Sequence, residues 1–425
     1  MPTSQDDLRV ATLGESRFAS PLTRERFTPD NTRVLLDIDY AEGSLPSAVG
    51  FEKAGAREQI YFDPSQSAAA IVTCGGLCPG LNNVIRHLYY ALHAGYGVPR
   101  VLGVRHGYQG LNQALGAPPL ELTADLVEPI HHQGGTMLGT SRGPQDPEVM
   151  LDTLGEWGVN LLFPIGGDGT QRGAHALAQA ARKRGQEIAV VGIPKTIDND
   201  IRFCFQTFGF ASAVGEAERV IDRAHVEAKS VERGVGLVKL MGREAGFIAA
   251  AATVASGEVN FALVPEHPVP FEGDKGFFAR LGHRLDARGH AVVVVAEGVG
   301  QDLLASNAAK DASGNRKLGD IGLYLKERIS EHFNQLGHPI SMKYFDPSYY
   351  IRSVQANAGD SVLTERFARH AANAALAGKT DLFVGSWNGR IVHVPLAASI
   401  GVPRRLAEDS ELWTAVEAVT GQSRW

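Results

Sequence analysis

The chain has 425 residues, 44% of them hydrophobic and 21% charged, with a formal net charge of -6. That length suffices for two or three domains with sizeable cores, and the acidic balance speaks against broad nucleic-acid binding while leaving room for a local basic pocket. No apolar run reaches membrane-spanning length, the start MPTSQDDLRVATLGES lacks a signal peptide's apolar core, and Cys74, Cys78 and Cys204 cannot all pair, so a cytoplasmic protein is expected.

Residues 1–66 have scattered charges and little periodicity, and read as an extension packed on, or loosely joined to, the main body. From Ala68 onward, strand-like runs alternate with helical stretches. AAAIVTCGG predicts a buried strand ending in glycines, and LNNVIRHLYYALHAG a helix closed by Gly95. NLLFPIGG is a second strand, followed by an Ala-rich helix that ends at Gly185. EIAVVGIPKT is a third. The alternation continues through VGLVKLMG, EAGFIAAAATVAS, NFALVPE and HAVVVVAEG. Short apolar runs covered by helices indicate parallel sheets. Near the end, LFVGSWNGRIVHVPL carries Asn388-Gly389 between two strand-like halves, a two-residue hairpin signal expected at a sheet edge, with Trp387 packing there. The fold class is α/β, with two open sheets and ligands at the carboxyl ends of their strands.

Those strand ends carry the chemistry. In TCGGLCPGLNN, Gly75, Gly76 and Gly80 separate a strand from a helix start, where free amides favour an anion; the segment reads as such a cradle or as a plain structural turn. It fits neither the P-loop nor the dinucleotide glycine spacing, and Cys74 and Cys78 lack a second pair for zinc. In FPIGGDGTQRGA, Asp168 stands between glycines, which suits a carboxylate reaching Mg²⁺ on phosphate oxygens, and Thr170 opens the next helix; simple N-capping is the other reading. IPKTIDND places Lys195, Thr196, Asp198 and Asp200 after a strand. Its two acids could divide proton transfer and metal or water binding, or form an Asx-rich turn. KLMGREAG puts Arg243 at a strand end, as a phosphate ligand or a surface ion pair. VVAEGVG ends a very apolar strand on Glu297, with a sugar hydroxyl as a reasonable partner. KYFDPSYYIRS mixes Lys343, Tyr349 and Arg352, suited to a fixed phosphate. Together these loops form an inventory for phosphoryl transfer, which needs chiefly positioning and charge stabilisation.

TCGGLCPGLNNVIR, GGDGT, GIPKTIDNDI, KLMGREAGFIA, VAEG and DPSYYIRS occur in the order in which related segments occur in 6-phosphofructokinases. The chain resembles that family from about Ala68 to Pro395, in particular the branch with plant and trypanosomatid ATP-dependent enzymes, which is related to pyrophosphate-dependent ones. The resemblance implies two Rossmann-like, three-layer lobes with mainly parallel sheets and the active site in the cleft between them. It implies a donor (ATP) lobe of residues 67–210 plus about 352–400, a sugar-phosphate lobe of 211–351, and a tail, 401–425, packed on the body. It also implies a glycolytic, allosteric homodimer or homotetramer that uses ATP as co-substrate with Mg²⁺.

Carried over residue by residue, the pattern makes Asp198 the base facing the 1-hydroxyl of fructose 6-phosphate. Thr196 and Arg243 would stabilise the moving phosphoryl group, Asp168 would organise Mg²⁺, and Asp200 would support the site. Met241, Gly242, Arg243 and Glu297 fall where the family contacts the sugar. Arg352 matches its 6-phosphate arginine, with Tyr349 and Lys343 at positions that are His and Arg in bacterial enzymes. Gly76, Tyr108, Arg142, Gly167, Asp168, Gly169, Thr170 and Lys195 fall on the donor side. The bacterial arginine seven residues before the MGR methionine is replaced by Gly234, with Arg233 beside it.

Gly169 is an ATP-type feature, because pyrophosphate-dependent relatives generally have Asp there; Lys195 is a pyrophosphate-type feature. A carboxylate about 4 Å from a phosphate charge costs about 4 kcal/mol at an effective dielectric near 20, about a thousandfold in affinity. Lys195 excludes neither donor on charge. The missing acid therefore favours ATP, with a pyrophosphate-dependent enzyme as the alternative and an NAD kinase-like GGDGT enzyme as a more distant one.

Overall fold

The computed structural model describes residues 4–44, 47–304 and 317–422; parts of the expected extension, sugar-phosphate lobe and tail lie outside these. The chain divides into two compact units. One comprises Met1–Thr196, Ile201–Gly209 and Val354–Pro403; the other comprises Ile197–Asp200, Phe210–Ser353 and Arg404–Trp425.

Among the described residues, the first unit is built on a nine-stranded sheet. Its order is Arg33–Leu35, Gly50–Lys53, Arg390–Pro395, Leu382–Trp387, Ala189–Pro194, Leu161–Gly166, Ala68–Thr73, Arg100–Val104 and Leu120–Glu121. The five strands from Leu382–Trp387 to Arg100–Val104 run parallel, and the flanking pairs are antiparallel. The central strands Ala68–Thr73, Leu161–Gly166 and Ala189–Pro194 are buried along their whole length, as strands covered on both faces must be. The helix Asp168–Arg184 that follows the GGDGT strand has an acid in its first turn and Arg182, Lys183 and Arg184 in its last. This polarity suits the helix dipole, and left-handed Gly185 ends it.

The second unit holds a four-stranded, all-parallel sheet ordered Phe261–Leu263, His290–Ala296, Gly234–Leu240 and Ser341–Phe345. Its core strand, HAVVVVA, is β-branched at four successive positions and buried from Ala291 to Ala296. The helix Glu411–Thr420 packs on helix Phe247–Ser256. Just beyond it, the side-chain amide of Gln422 pairs with both backbone groups of Ala262 (2.8 and 3.2 Å) on the edge strand.

Three expectations are corrected. The Asn388-Gly389 hairpin forms, with both turn residues at positive φ (43° and 72°), but it does not end the sheet. Val392 and His393 pair with Lys53 and Glu52, so residues called an irregular extension contribute strands to the sheet. Trp387 donates Nε1–H to the Leu36 carbonyl (3.0 Å) from the same hairpin. The helix after the first glycine loop passes Gly95, widens to π geometry over Ala91–Tyr96, and closes at left-handed Gly97.

The N-terminal strands escape a polarity-based reading because one of them buries charge. Glu52 Oε1 accepts from Arg57 (2.9 Å), Lys379 (2.9 Å) and His393 Nδ1 (3.0 Å), while Asp30 Oδ1 takes Arg57 Nε (2.7 Å) and Lys379 (3.0 Å). Burial by itself would raise the Glu52 carboxyl's pKa. The hydrogen bonds from His393 and Lys379, with the Lys379 charge, outweigh it and hold the carboxyl well below its ordinary range. Burial lowers the His393 pKa, against the hydrogen bond and charge of Glu52, which act to raise it.

Glu52→Gln should therefore destabilise the protein by about 3–5 kcal/mol, since it leaves buried cations without their shared anion. Because the folded Glu52 pKa lies below its unfolded value, the stabilisation is present above the ordinary glutamate range and is lost as pH falls through and below it. Thermal melts of both proteins across that range test this: their Tm values should converge on acidification.

Candidate active site

In the first unit, hydrogen bonding outlasts the strands. Cys74 N–H donates to the Ile165 carbonyl (2.9 Å) and Lys195 N–H to the Gly166 carbonyl (3.0 Å), so three loops leave the sheet at one level. Lys195 is only 6% exposed, and its ammonium donates to the Gly76 carbonyl at 2.6 Å. Thr140 fixes the neighbouring Gly75 carbonyl (2.7 Å). Arg142 lies against Gly76, where an added Cβ would come 3.7 Å from its Nη2. The sequence-predicted donor residues Gly76, Arg142 and Lys195 are thus adjacent.

The GGDGT turn stands beside them. Gly167 caps the helix that begins at Asp168. The Asp168 carboxylate accepts from Arg172 Nη1 (2.9 Å) and from the Gly401 N–H (2.9 Å), and its side chain is 46% exposed. Gly169 is exposed, with only Arg172 Nη2, at 3.9 Å, close to the place a Cβ would take. Tyr108 is buried: its hydroxyl donates to the Thr170 carbonyl (2.9 Å), and its ring fills the space above Gly173. Tyr108 therefore supports the first turn of the helix, and burial raises its pKa well above the ordinary value. Thr196 closes this unit's stretch, its carbonyl accepting from Thr207 Oγ1 at 2.7 Å.

In the second unit the same device recurs. Leu240 and Ala296 face each other at the ends of adjacent strands. Pairing then continues from Glu297 N–H to the Leu240 carbonyl (2.9 Å) and from Gly298 N–H to the Gly242 carbonyl (3.0 Å). This sets Met241-Gly242-Arg243 beside Glu297. Gly242 has φ +134°, and a Cβ there would lie 2.6 Å from the Ala245 oxygen. A Cβ at Gly298 would fall 1.9 Å from the Arg243 carbonyl oxygen, so both positions demand glycine. Burial raises the Glu297 carboxyl above its ordinary pKa of 4.5, opposed by the charges of Arg243 and Lys239.

Arg352 ends a short helix, Ser348–Ile351, with its guanidinium 4.5 Å from the Tyr349 ring centre, and the Tyr349 side chain is 77% exposed. Lys343 lies within the strand Ser341–Phe345, paired in register with Gly236. Asp198 and Asp200 belong to the segment Ile197–Asp200, in which Asn199 adopts a left-handed conformation (φ 56°). Arg233 pairs with Asp286 (2.6 Å) and lies over the Phe333 ring (5.7 Å).

Several residues that shape these loops carried no recognisable sequence signal. Gly298 follows an acid, and its closeness to Arg243 exists only in the folded sheet. Arg172 and Gly401 lie four and 233 positions from Asp168, and only the first spacing is legible, as an i,i+4 pair.

Glycine turns and cations at strand ends in one unit, with acids, arginines and an exposed tyrosine at strand ends in the other, define an α/β protein equipped to bind phosphorylated ligands. A family model described as phosphofructokinase matches residues 68–375. The chain is 48% identical to an ATP-dependent 6-phosphofructokinase of Amycolatopsis methanolica, over 98% of this chain and 95% of the relative. It is 45% identical to one of Trypanosoma brucei brucei, over 98% and 88%. The crystal structure of a pyrophosphate-dependent phosphofructokinase from Marinobacter aquaeolei has the same fold (TM-score 0.69, 21% identity, 84% of this chain and 91% of that one). The chain belongs to the phosphofructokinase family.

Glu297 supplies a measurable consequence of this geometry. Its raised pKa means the folded state binds that proton more tightly than the unfolded state, so the ionised carboxylate costs stability near neutrality. Glu297→Gln should have a higher Tm than the parent near neutral pH, and the difference should shrink as the pH falls into the ordinary carboxylate range.

Proposed function

We propose that this protein is an ATP-dependent 6-phosphofructokinase, transferring the γ-phosphoryl group of ATP to the 1-hydroxyl of fructose 6-phosphate. The relatives that match nearly the whole chain carry that name. The observation that carries the choice of donor is the bare Gly169. A Cβ added there would meet no atom closer than Arg172 Nη2, at 3.9 Å, yet no acid stands there to repel a nucleotide's phosphates.

In this reading Asp198 takes the proton from the sugar's 1-hydroxyl. The freed oxygen bonds to the γ-phosphorus as the bond to the β,γ-bridging oxygen breaks, and ADP leaves. Arg243 and the Thr196 hydroxyl stabilise charge on the phosphoryl group in transit. Asp200 supports the same loop. Gly76, Arg142, Gly167, Gly169, Thr170 and Lys195 form the donor pocket, with Tyr108 beneath it. Met241, Gly242 and Glu297 meet the sugar; Arg352, Tyr349 and Lys343 serve its 6-phosphate. Pyrophosphate use is favoured by Lys195 alone, and that ammonium already donates to the Gly76 carbonyl.

Mg²⁺ fits this chain as an ion that arrives with the nucleotide. Among the described residues no group of three or more His, Cys, Asp or Glu could hold a metal, but Asp168 offers a half-exposed carboxylate beside the donor loops. One or two carboxylates plus phosphate oxygens and water are the usual Mg²⁺ shell, so Asp168 would hold the ion, which when bound offsets phosphate charge. A homodimer or homotetramer is supported by exposed apolar side chains, among them Val226 (65%) and Tyr350 (58%). The three cysteines are buried free thiols, in keeping with a reducing, cytoplasmic setting; no helix among the described residues is long and apolar enough to cross a membrane.

Three measurements test this reading. Purified protein given fructose 6-phosphate, Mg²⁺ and either ATP or pyrophosphate should form fructose 1,6-bisphosphate with ATP; pyrophosphate as the only working donor would refute it. In the same assay Gly169→Asp should remain folded and lose about a thousandfold in ATP affinity. Asp198→Asn should bind fructose 6-phosphate nearly as well as the parent while turnover falls at least about a hundredfold; near-normal turnover would remove Asp198 from the base role.

A further inference from the structure

The C-terminal segment of the second unit has a course that the activity by itself does not call for. Arg404 N–H donates to the Asp200 carbonyl at 2.7 Å, two residues beyond Asp198. The Arg404 guanidinium lies 4.6 Å from the ring centre of Phe247, the buried first residue of the helix that follows the Arg243 loop. Arg405 pairs with Glu244, next to Arg243, at 3.0 Å. Leu406 N–H then donates to Glu266 Oε1 (2.8 Å), and the same carboxylate accepts the N–H of Gly246 at 3.0 Å on both oxygens.

Beyond this point the segment is held firmly. Trp413 stacks on His267, with ring centres 4.1 Å apart, and the amide of Gln422 pairs with the edge strand. One short stretch, Arg404 to Leu406, thus touches the segment that carries Asp198, the loop that carries Arg243, and the glutamate fixing the start of the next helix. All of these contacts lie within one unit.

We infer that Arg404–Leu406 is a positioning strap that holds the Ile197–Asp200 segment against the Arg243 loop, with Arg404 and Glu266 as positioning residues. The assignment rests on the proposed roles of Asp198 and Arg243. Neither Arg404 nor Glu266 is given a contact with substrate. The physical ground is that one three-residue stretch contacts both loops at once, through the Arg404 N–H to the Asp200 carbonyl and through Arg404 to Phe247 and Arg405 to Glu244. A misplacement of about 1 Å between reacting groups can cost about a hundredfold in rate. The Arg404 side chain works by stacking on an aromatic face, a contact that a lysine cation retains in weaker form.

The test is Arg404→Ala, compared with Arg404→Lys and the parent, all as full chains. The alanine variant should lose about tenfold or more in kcat, with KM for fructose 6-phosphate and ATP within about threefold of the parent. The lysine variant should recover at least about a third of kcat. Hydrogen exchange supplies a readout independent of activity: amides of Ile197–Asp200 and of Gly246 should exchange at least about tenfold faster in Arg404→Ala. Should that variant fail to fold, Phe247→Leu, which keeps the apolar bulk and removes the aromatic face, is read in the same way. Unchanged kcat with unchanged exchange, or a loss confined to KM, overturns the strap. An inactive parent overturns the kinase reading instead, and the exchange experiment still decides whether the strap exists.

Discussion

The constraint on which both halves of this protein depend is that the hydrogen-bond ladder does not stop where the strands stop. In the first unit it continues through Cys74 N–H to Ile165 and Lys195 N–H to Gly166; in the second, through Glu297 N–H to Leu240 and Gly298 N–H to Gly242. Parallel strands deliver successive loops to one edge of a sheet, but their side chains would normally splay apart there. Extending the pairing by one or two residues keeps the backbones in register just where chemistry begins. The requirement for glycine follows directly. At Gly298 a side chain would collide with the Arg243 carbonyl, and at Gly242 both the dihedral and the available space exclude one.

Charge is handled in two contrasting ways. Glu52, Arg57, Lys379 and His393 are buried together, where each ion is tolerable only because its partners are at hydrogen-bond distance. That cluster binds the N-terminal strands to the sheet, and its reward is structural. Asp168 and Arg243 instead stand just past the ends of the strands Leu161–Gly166 and Gly234–Leu240. Glu297 falls between these cases: burial raises its pKa, while the charges of Arg243 and Lys239 oppose the shift.

The donor loops show how a single absent side chain can matter more than a present one. Lys195 is attracted to the phosphates of either donor and is already bonded to the Gly76 carbonyl. A carboxylate at position 169 would act with opposite sign on a phosphate-rich nucleotide. A Cβ at Gly169 would meet no atom closer than 3.9 Å, so the bare position is not imposed by contacts at Cβ.

By itself, the sequence determined the α/β class, the succession of strands and helices from Ala68 onward, the Asn388-Gly389 turn, and the loops on which chemistry would fall. These are local signals: apolar period, glycine and acid spacing, and helix-end residues read through nearest neighbours. Tertiary structure decided what those signals cannot encode. It brought the strands Arg33–Leu35 and Gly50–Lys53 into the sheet beside a buried glutamate, which polarity alone marks as surface. It made Tyr108 a support under Thr170 and set Gly298 against Arg243. It also tied Asp168 to Gly401 and Asp200 to Arg404, across separations of 233 and 204 positions. Such contacts depend on which strand ends become neighbours, and that is fixed by the order of strands in the sheets rather than by any local pattern.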